Sequence, residues 1–307
     1  MGERSRRDGR KRLGAGARAA ILDRIAALER PAAPKPAAPA AEPPDPTLRA
    51  LRAAVLGDAE PDTHLPQLHD PWNNLRRIPV DEALLEDNLV ITASRRDPAH
   101  AAFDLLRTRT LQALDEHGWS RVAITSPTRG CGKSFTAANL AIAMARYENR
   151  RTVLLDLDMR APGLSQMLGA PAPAPIADWL RGTTPSATQL QRVGQNLLGI
   201  GGLAVGLNDR VETYPAELLQ DPKAGQVLDR MEAEFAPDAV LFDLPPALSN
   251  DDVTAFRDRY DCVLMVVGAG HNSAEQIREA VRRIGADKPV LGMVLNRAEE
   301  ERASGTG

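Results

Sequence analysis

The segment RVAITSPTRGCGKSFTAAN (121–139) constrains this chain more than any other. A short apolar run leads into a glycine-containing loop that ends in Gly132-Lys133-Ser134, and residues of helical character follow. Strand, tight loop and helix in that order gather backbone N–H groups and the positive end of a helix dipole at one point, which makes a cradle for phosphate. In such a loop the lysine reaches the β- and γ-phosphates of a nucleotide, and the hydroxyl after it, here Ser134, holds Mg2+. The generic pattern asks for glycine at position 127, where this chain has Pro127. The expected nucleotide contacts are Thr128, Arg129, Gly130, Cys131, Gly132, Lys133, Ser134 and Phe135. Cys131 also places a thiol in the loop, either as a tolerated small side chain or as a group whose modification would silence ATP binding.

Two later segments supply acids. VLLDLDMR (153–160) puts Asp156 and Asp158 two residues apart at the end of an apolar run, so both can face one side of a pleat. AVLFDLPP (239–246) ends a second such run at Asp243. The C-terminal edge of strands is where open α/β sheets place their ligands, and an Asp there commonly tethers Mg2+ beside a phosphate loop. Ser134, Asp156, Asp158 and Asp243 are therefore the expected Mg2+ set, and Lys133, Asp156 and Asp158 the expected catalytic residues.

The pattern around these segments predicts the fold class. β-type runs stand at Val122–Thr125, Val153–Leu157, Leu197–Ile200, Ala239–Phe242, Cys262–Val267 and Val290–Leu295. Helical spacing appears at Ala101–Glu116, Ser134–Tyr147, Ala216–Phe235 and Ala274–Ile284. Strands apolar throughout, alternating with helices, indicate an α/β fold with a mostly parallel sheet covered on both faces. This domain is expected over residues 97–298, with a disordered tail at 299–307.

The first hundred residues read differently. Residues 1–30 form a basic tail and a short amphipathic helix with Ile21, Ile25 and Leu28 on one face, a candidate for contact with a membrane surface. Residues 31–46 are a Pro/Ala linker that cannot pack a core. Residues 47–96 read as a weakly ordered lead-in with apolar anchors such as Trp72 and Leu75. A net charge of −3 gives no field suited to nucleic acid. The two cysteines make no disulfide framework, and no run approaches the ~18 apolar residues of a membrane span. Without the apolar core of a secretory signal at the N-terminus, a cytoplasmic location is expected.

The motifs TSPTRGCGKSFTAANLA (125–141), VLLDLDMRAPGLSQMLG (153–169), YPAELLQDP (214–222), VLFDLPPALSNDD (240–252) and GMVLNR (292–297) occur together and in order. In this the chain resembles the bacterial tyrosine autokinases of exopolysaccharide and capsule export, P-loop ATPases related to the division-site and partition ATPases. Upstream, IPVDEALLEDNLV (78–90) and FDLLRTRTLQALDEHGW (103–119) are similar to the lead-in of the exosortase-associated subgroup. The resemblance implies a P-loop NTPase fold that binds ATP or ADP with Mg2+. Lys133 and Ser134 would be its phosphate-loop pair, and Asp156, Asp158 and Asp243 would hold Mg2+ and activate a tyrosine hydroxyl. Asp252 matches a further acidic position, while Asn296, with Arg297 beside it, stands where relatives contact adenine. It also implies a transmembrane co-polymerase or chain-length determinant as partner, a homo-oligomer, and a peripheral position at the inner face of the plasma membrane.

Four features depart from that pattern. Cys131 stands where the family carries Glu, and Leu244 where it carries Ser or Thr. The ring-forming Glu-x-x-Arg-x-x-Arg aligns with Ala101, Asp104 and Arg107, and the tail RAEEERASGTG lacks the tyrosine cluster. These departures support a second expectation, a nucleotide-gated scaffold of the same export system that transfers no phosphate to tyrosine. A third, a positioning ATPase of the partition type, is weakened by Thr128, where those proteins carry a signature lysine.

Overall fold

The computed structural model describes residues 70–78, 82–88, 90, 99–146, 150–194 and 202–298. The tail and helix expected at 1–30, the linker 31–46, Tyr147, the run at Leu197–Ile200 and residues 299–307 lie outside these.

Among the described residues, eight strands form one sheet: β1 Arg76–Ile78, β2 Arg121–Thr125, β3 Thr152–Asp156, β4 Leu190–Val193, β5 Leu203–Gly206, β6 Ala239–Asp243, β7 Cys262–Gly268 and β8 Val290–Asn296, in the order β1-β4-β5-β3-β6-β2-β7-β8. From β5 to β8 every pairing is parallel. The helices are α1 Pro71–Asn74, α2 Glu82–Asp87, α3 Ala99–His117, α4 Lys133–Met144, α5 Leu164–Leu168, α6 Ile176–Leu180, α7 Ser186–Gln189, α8 Pro215–Gln220, α9 Pro222–Phe235, α10 Asp252–Ala255 and α11 Ala274–Ile284.

The period-2 alternation of side chains divides the core between two faces. Ala123, Val153, Leu155, Val240 and Phe242 join a cluster with Trp179 of α6, Leu228 and Met231 of α9 and Ala280 of α11. Val122, Ile124, Leu154 and Leu241 face the other way, onto Leu114 of α3 and Leu140 of α4. Both faces are covered, and strands β3, β6 and β7 are buried at every position.

Several expectations need correction. β4 pairs antiparallel with β5, and β1 pairs parallel with β4, so one edge of the sheet runs against the rest. None of β1, β4 and β5 was expected: each is three or four residues long, too short for periodicity to separate it from a loop. Residues 71–78, expected to be weakly ordered, form α1 and β1. There Trp72 and Leu75 are buried, and the Arg151 guanidinium lies 5.4 Å from the centre of the Trp72 ring. The single helix expected at Ala216–Phe235 is two helices meeting at Asp221. Pro222 keeps Asp221 out of helical geometry (ψ 128°), and the Asp221 carboxylate caps α9 by accepting from the Lys223 N–H at 2.8 Å. The helix after the phosphate loop ends at Met144, short of Tyr147.

Candidate nucleotide-binding site

The loop between β2 and α4 is built by two left-handed glycines. Gly130 has φ +80° and Gly132 φ +86°, a region that side chains other than glycine enter at a cost. A Cβ on Gly132 would come within 2.0 Å of the Asn296 Nδ2. The loop is braced from below by the Pro245-Pro246 segment: Thr125 Oγ1 donates to the Pro245 carbonyl at 2.6 Å, and Ala247 N to the Ser126 carbonyl at 2.8 Å. Pro127 thus occupies a braced bend, and its carbonyl accepts from Leu248 N at 3.2 Å.

Lys133 is the first residue of α4, and its ammonium sits among the expected acids. Nζ lies 2.6 Å from Asp158 Oδ2, 3.5 Å from Asp243 Oδ1 and 3.3 Å from Ser134 Oγ. Burial alone would lower the ammonium's pKa, but Asp243 and Asp158 outweigh it and hold the pKa above its usual value. Asp156 and Asp243 are register partners at the ends of β3 and β6, and both are fully buried. Burial, and then the like charge of Asp243, push Asp156 up to about 8. Burial likewise raises Asp243, against the pull of Lys133 and a bond from the Ser134 hydroxyl. Two carboxyls in register share one nearby ammonium, so a proton on the pair relieves the excess negative charge.

The Oδ2 of Asp156 accepts from Gly163 N at 3.1 Å and Leu164 N at 3.0 Å, which fixes the loop entering α5. Its Oδ1, and the Oδ2 of Asp243, are buried and accept no hydrogen bond. Such atoms are rare in folded proteins, and a cation is one explanation for them. Among the described residues no three Asp, Glu, His or Cys groups converge as a ready-made cage for a metal. Mg2+ needs no such cage, since it is usually held by one or two carboxylates together with phosphate oxygens and water. The two orphan oxygens and the Ser134 hydroxyl fit that requirement. Asp158 differs, because Lys133 already occupies it.

The remaining expected residues divide. Asn296 Nδ2 donates to the Cys131 carbonyl at 2.9 Å, so this amide ties the end of β8 to the loop. Arg297 follows it, exposed, with φ +59°. Phe135 packs edge-on against Phe103 of α3 at 5.8 Å. Arg129 is exposed, and its carbonyl lies 2.8 Å from His271 Nε2. Thr128 Oγ1 accepts from Asn272 Nδ2 at 2.7 Å. Both oxygens of Asp252 are taken by Arg160, at 2.7 and 2.9 Å. The Cys131 thiol is 1% exposed and donates to Asn272 Oδ1 at 3.0 Å, so it is not the accessible group expected of a modification site.

Asn272 is the residue that the sequence reading missed. It is buried in the turn after β7, accepts from Gly268 N at 3.0 Å and from Cys131, and donates to Thr128. One amide therefore holds both ends of the phosphate loop's central stretch. The only signal for it is position: GAGHNS follows a fully apolar strand, at the sheet edge that carries Lys133 and the acids.

A family model described as the CobQ/CobB/MinD/ParA nucleotide binding domain matches residues 122–306. The Ralstonia nicotianae protein EpsB is 33% identical over 201 residues, which cover 65% of this chain and 26% of EpsB. This chain thus spans about a quarter of that relative. The tyrosine-protein kinase YwqD of Bacillus subtilis is 26% identical over 69% of this chain and 86% of its own length. The solved VpsO kinase domain superposes with a TM-score of 0.57 at 26% identity, covering 65% of this chain and 95% of that one.

Proposed function

From the premise that the chain belongs to the CobQ/CobB/MinD/ParA nucleotide-binding family, we propose that it is an ATP- and Mg2+-using phosphoryltransferase of the tyrosine-kinase type, serving polysaccharide export beside a membrane co-polymerase. One observation carries the reading: Lys133 stands between Asp158 and Asp243 at the mouth of a glycine-shaped loop, with orphan acid oxygens beside it. Backbone N–H groups of Gly130–Ser134 and the Lys133 ammonium would grip the phosphates. Ser134, Asp156 and Asp243 would hold the cation, which when bound neutralises charge on the transferring group. Asp158 would orient the acceptor hydroxyl and take its proton. Most of the catalysis then comes from positioning and fixed charge, once Lys133 has exchanged Asp158 for the phosphates.

Among the described residues no helix is long and apolar enough to cross a membrane. A membrane partner is proposed in line with relatives named for tyrosine kinases and for succinoglycan transport. The proposed location is the inner face of the plasma membrane.

A second reading, the nucleotide-gated scaffold, has one observation in its favour. Of the ring-forming positions on α3 only Arg107 matches, and its guanidinium is bonded to Asp104 at 2.7 Å within the same helix. Incubation with labelled Mg2+-ATP separates the two. Phosphotyrosine that disappears in Lys133→Met supports transfer; tight, slowly exchanging ADP with no phosphotyrosine supports the scaffold.

A further inference from the structure

We propose that Tyr214 is a phosphoryl acceptor for this site, presented to the nucleotide site of a second copy of the chain; the inference rests on the kinase reading above.

The sequence holds three tyrosines. Tyr260 is buried, and its hydroxyl donates to the Val253 carbonyl. Tyr147 lies outside the described residues. Tyr214 is 65% exposed and projects from the segment joining β5 to α8. β5 is parallel to β3, so this segment leaves the sheet at the edge where Asp156 and Asp158 stand.

The segment is a fixed arm. At its base Asn208 is buried; it donates to the Arg210 carbonyl at 2.8 Å and accepts from Arg210 N at 3.2 Å. At its far end Glu212 N donates to the carbonyl of Met159, the residue after Asp158, at 3.0 Å. The Glu212 carboxylate accepts from Thr213 N at 2.9 Å, Tyr214 N at 3.3 Å and Arg181 at 2.7 Å. Fastened at both ends, the arm leaves Val211 and Tyr214 in solvent. An exposed aromatic on a rigid mount presents its hydroxyl at low entropic cost to a facing surface.

Transfer between copies follows from the ring's exposure: Tyr214 stands 65% exposed, open to a facing copy. The phosphate loop follows β2, three positions from β5 in the sheet. At about 4.8 Å per strand the ends of those two strands lie roughly 14 Å apart. In the step itself the Tyr214 phenolic oxygen of one copy attacks the γ-phosphorus of ATP in the other. The new O–P bond forms as the bond to the β,γ-bridging oxygen breaks, ADP leaves with that electron pair, and the phenolic proton passes to the donor copy's Asp158.

The test incubates the full chain with Mg2+-ATP and maps phosphate by mass spectrometry, with poly(Glu,Tyr) as an external acceptor in parallel. The expected result is phosphate on Tyr214, loss of most self-labelling in Tyr214→Phe, and unchanged labelling of poly(Glu,Tyr) by that variant. Mixing the parent with Lys133→Met is expected to place phosphate on Tyr214 of the variant chain. If poly(Glu,Tyr) is labelled while Tyr214 is not, the kinase reading stands and this inference is overturned. Labelling of neither overturns both, and Tyr214 phosphate absent from the Lys133→Met chain overturns transfer between copies.

Discussion

Replacing Asp156 by Asn tests the electrostatics of the site most directly. In the folded protein the Asp156 carboxyl is pushed up to about 8, against 3.8 for an ordinary Asp. Between those values the folded protein holds a proton that the unfolded chain has released. The folded state therefore binds more protons in this window, and stability falls as pH rises from about 4 to about 8. Below the window both states are protonated, and above it neither is. At pH 7 the gap from 3.8 is about three units, which at 1.36 kcal/mol each is on the order of 4 kcal/mol of destabilisation. Asn keeps an oxygen for the Gly163 and Leu164 N–H groups and carries no titration. Asp156→Asn is thus expected to melt higher at pH 7, by about 10 °C for a domain of this size, and to show a shallower pH slope between 5 and 8, burial still holding Asp243 above the usual carboxylate range. The same change takes from the cation set an oxygen that can shed its proton to bind Mg2+, so the thermal shift produced by Mg2+-ADP should shrink. Melting curves at several pH values, with and without Mg2+-ADP, supply all three readouts. A variant no more stable than the parent at pH 7, or one with the parent's slope, would refute the reasoning.

Two further outcomes follow from the geometry. Asn272→Ala removes bonds to Gly268, Cys131 and Thr128, worth about 1 kcal/mol each, and is expected to weaken ADP binding about tenfold by loosening the loop; fluorescent-ADP titration measures it, and unchanged affinity would mean that the loop holds its own shape. Trp72→Ala empties a fully buried site and should cost about 3–5 kcal/mol in denaturant melts while ADP affinity stays put, since Trp72 packs in the hydrophobic core away from the phosphate loop.

The parts of this protein legible in its sequence are those encoded locally. The strand–loop–helix at 121–144 depends on an apolar run, two glycines that take positive φ without strain, and a helix-forming stretch, all adjacent in the chain. α11, expected at Ala274–Ile284 and found at those residues, carries its own start signal in the reciprocal Ser273–Gln276 capping box. Asp156 and Asp243 were legible because each ends an apolar strand, and Asp158 because it follows one by two residues; parallel strands bring such ends to one edge.

What only the tertiary structure decided is how those groups meet. That Lys133 pairs with Asp158 and Asp243, while Asp156 faces Asp243 with an orphan oxygen, depends on β6 lying between β2 and β3. Strand order joins residues some hundred positions apart, and no local pattern records it. Asn272 was invisible for the same reason: an asparagine in a turn is ordinary until the fold sets it against Thr128 and Cys131. The short edge strands likewise exist because neighbours pair with them, and Asn296 became a tie to the loop only once β8 had been laid beside β7.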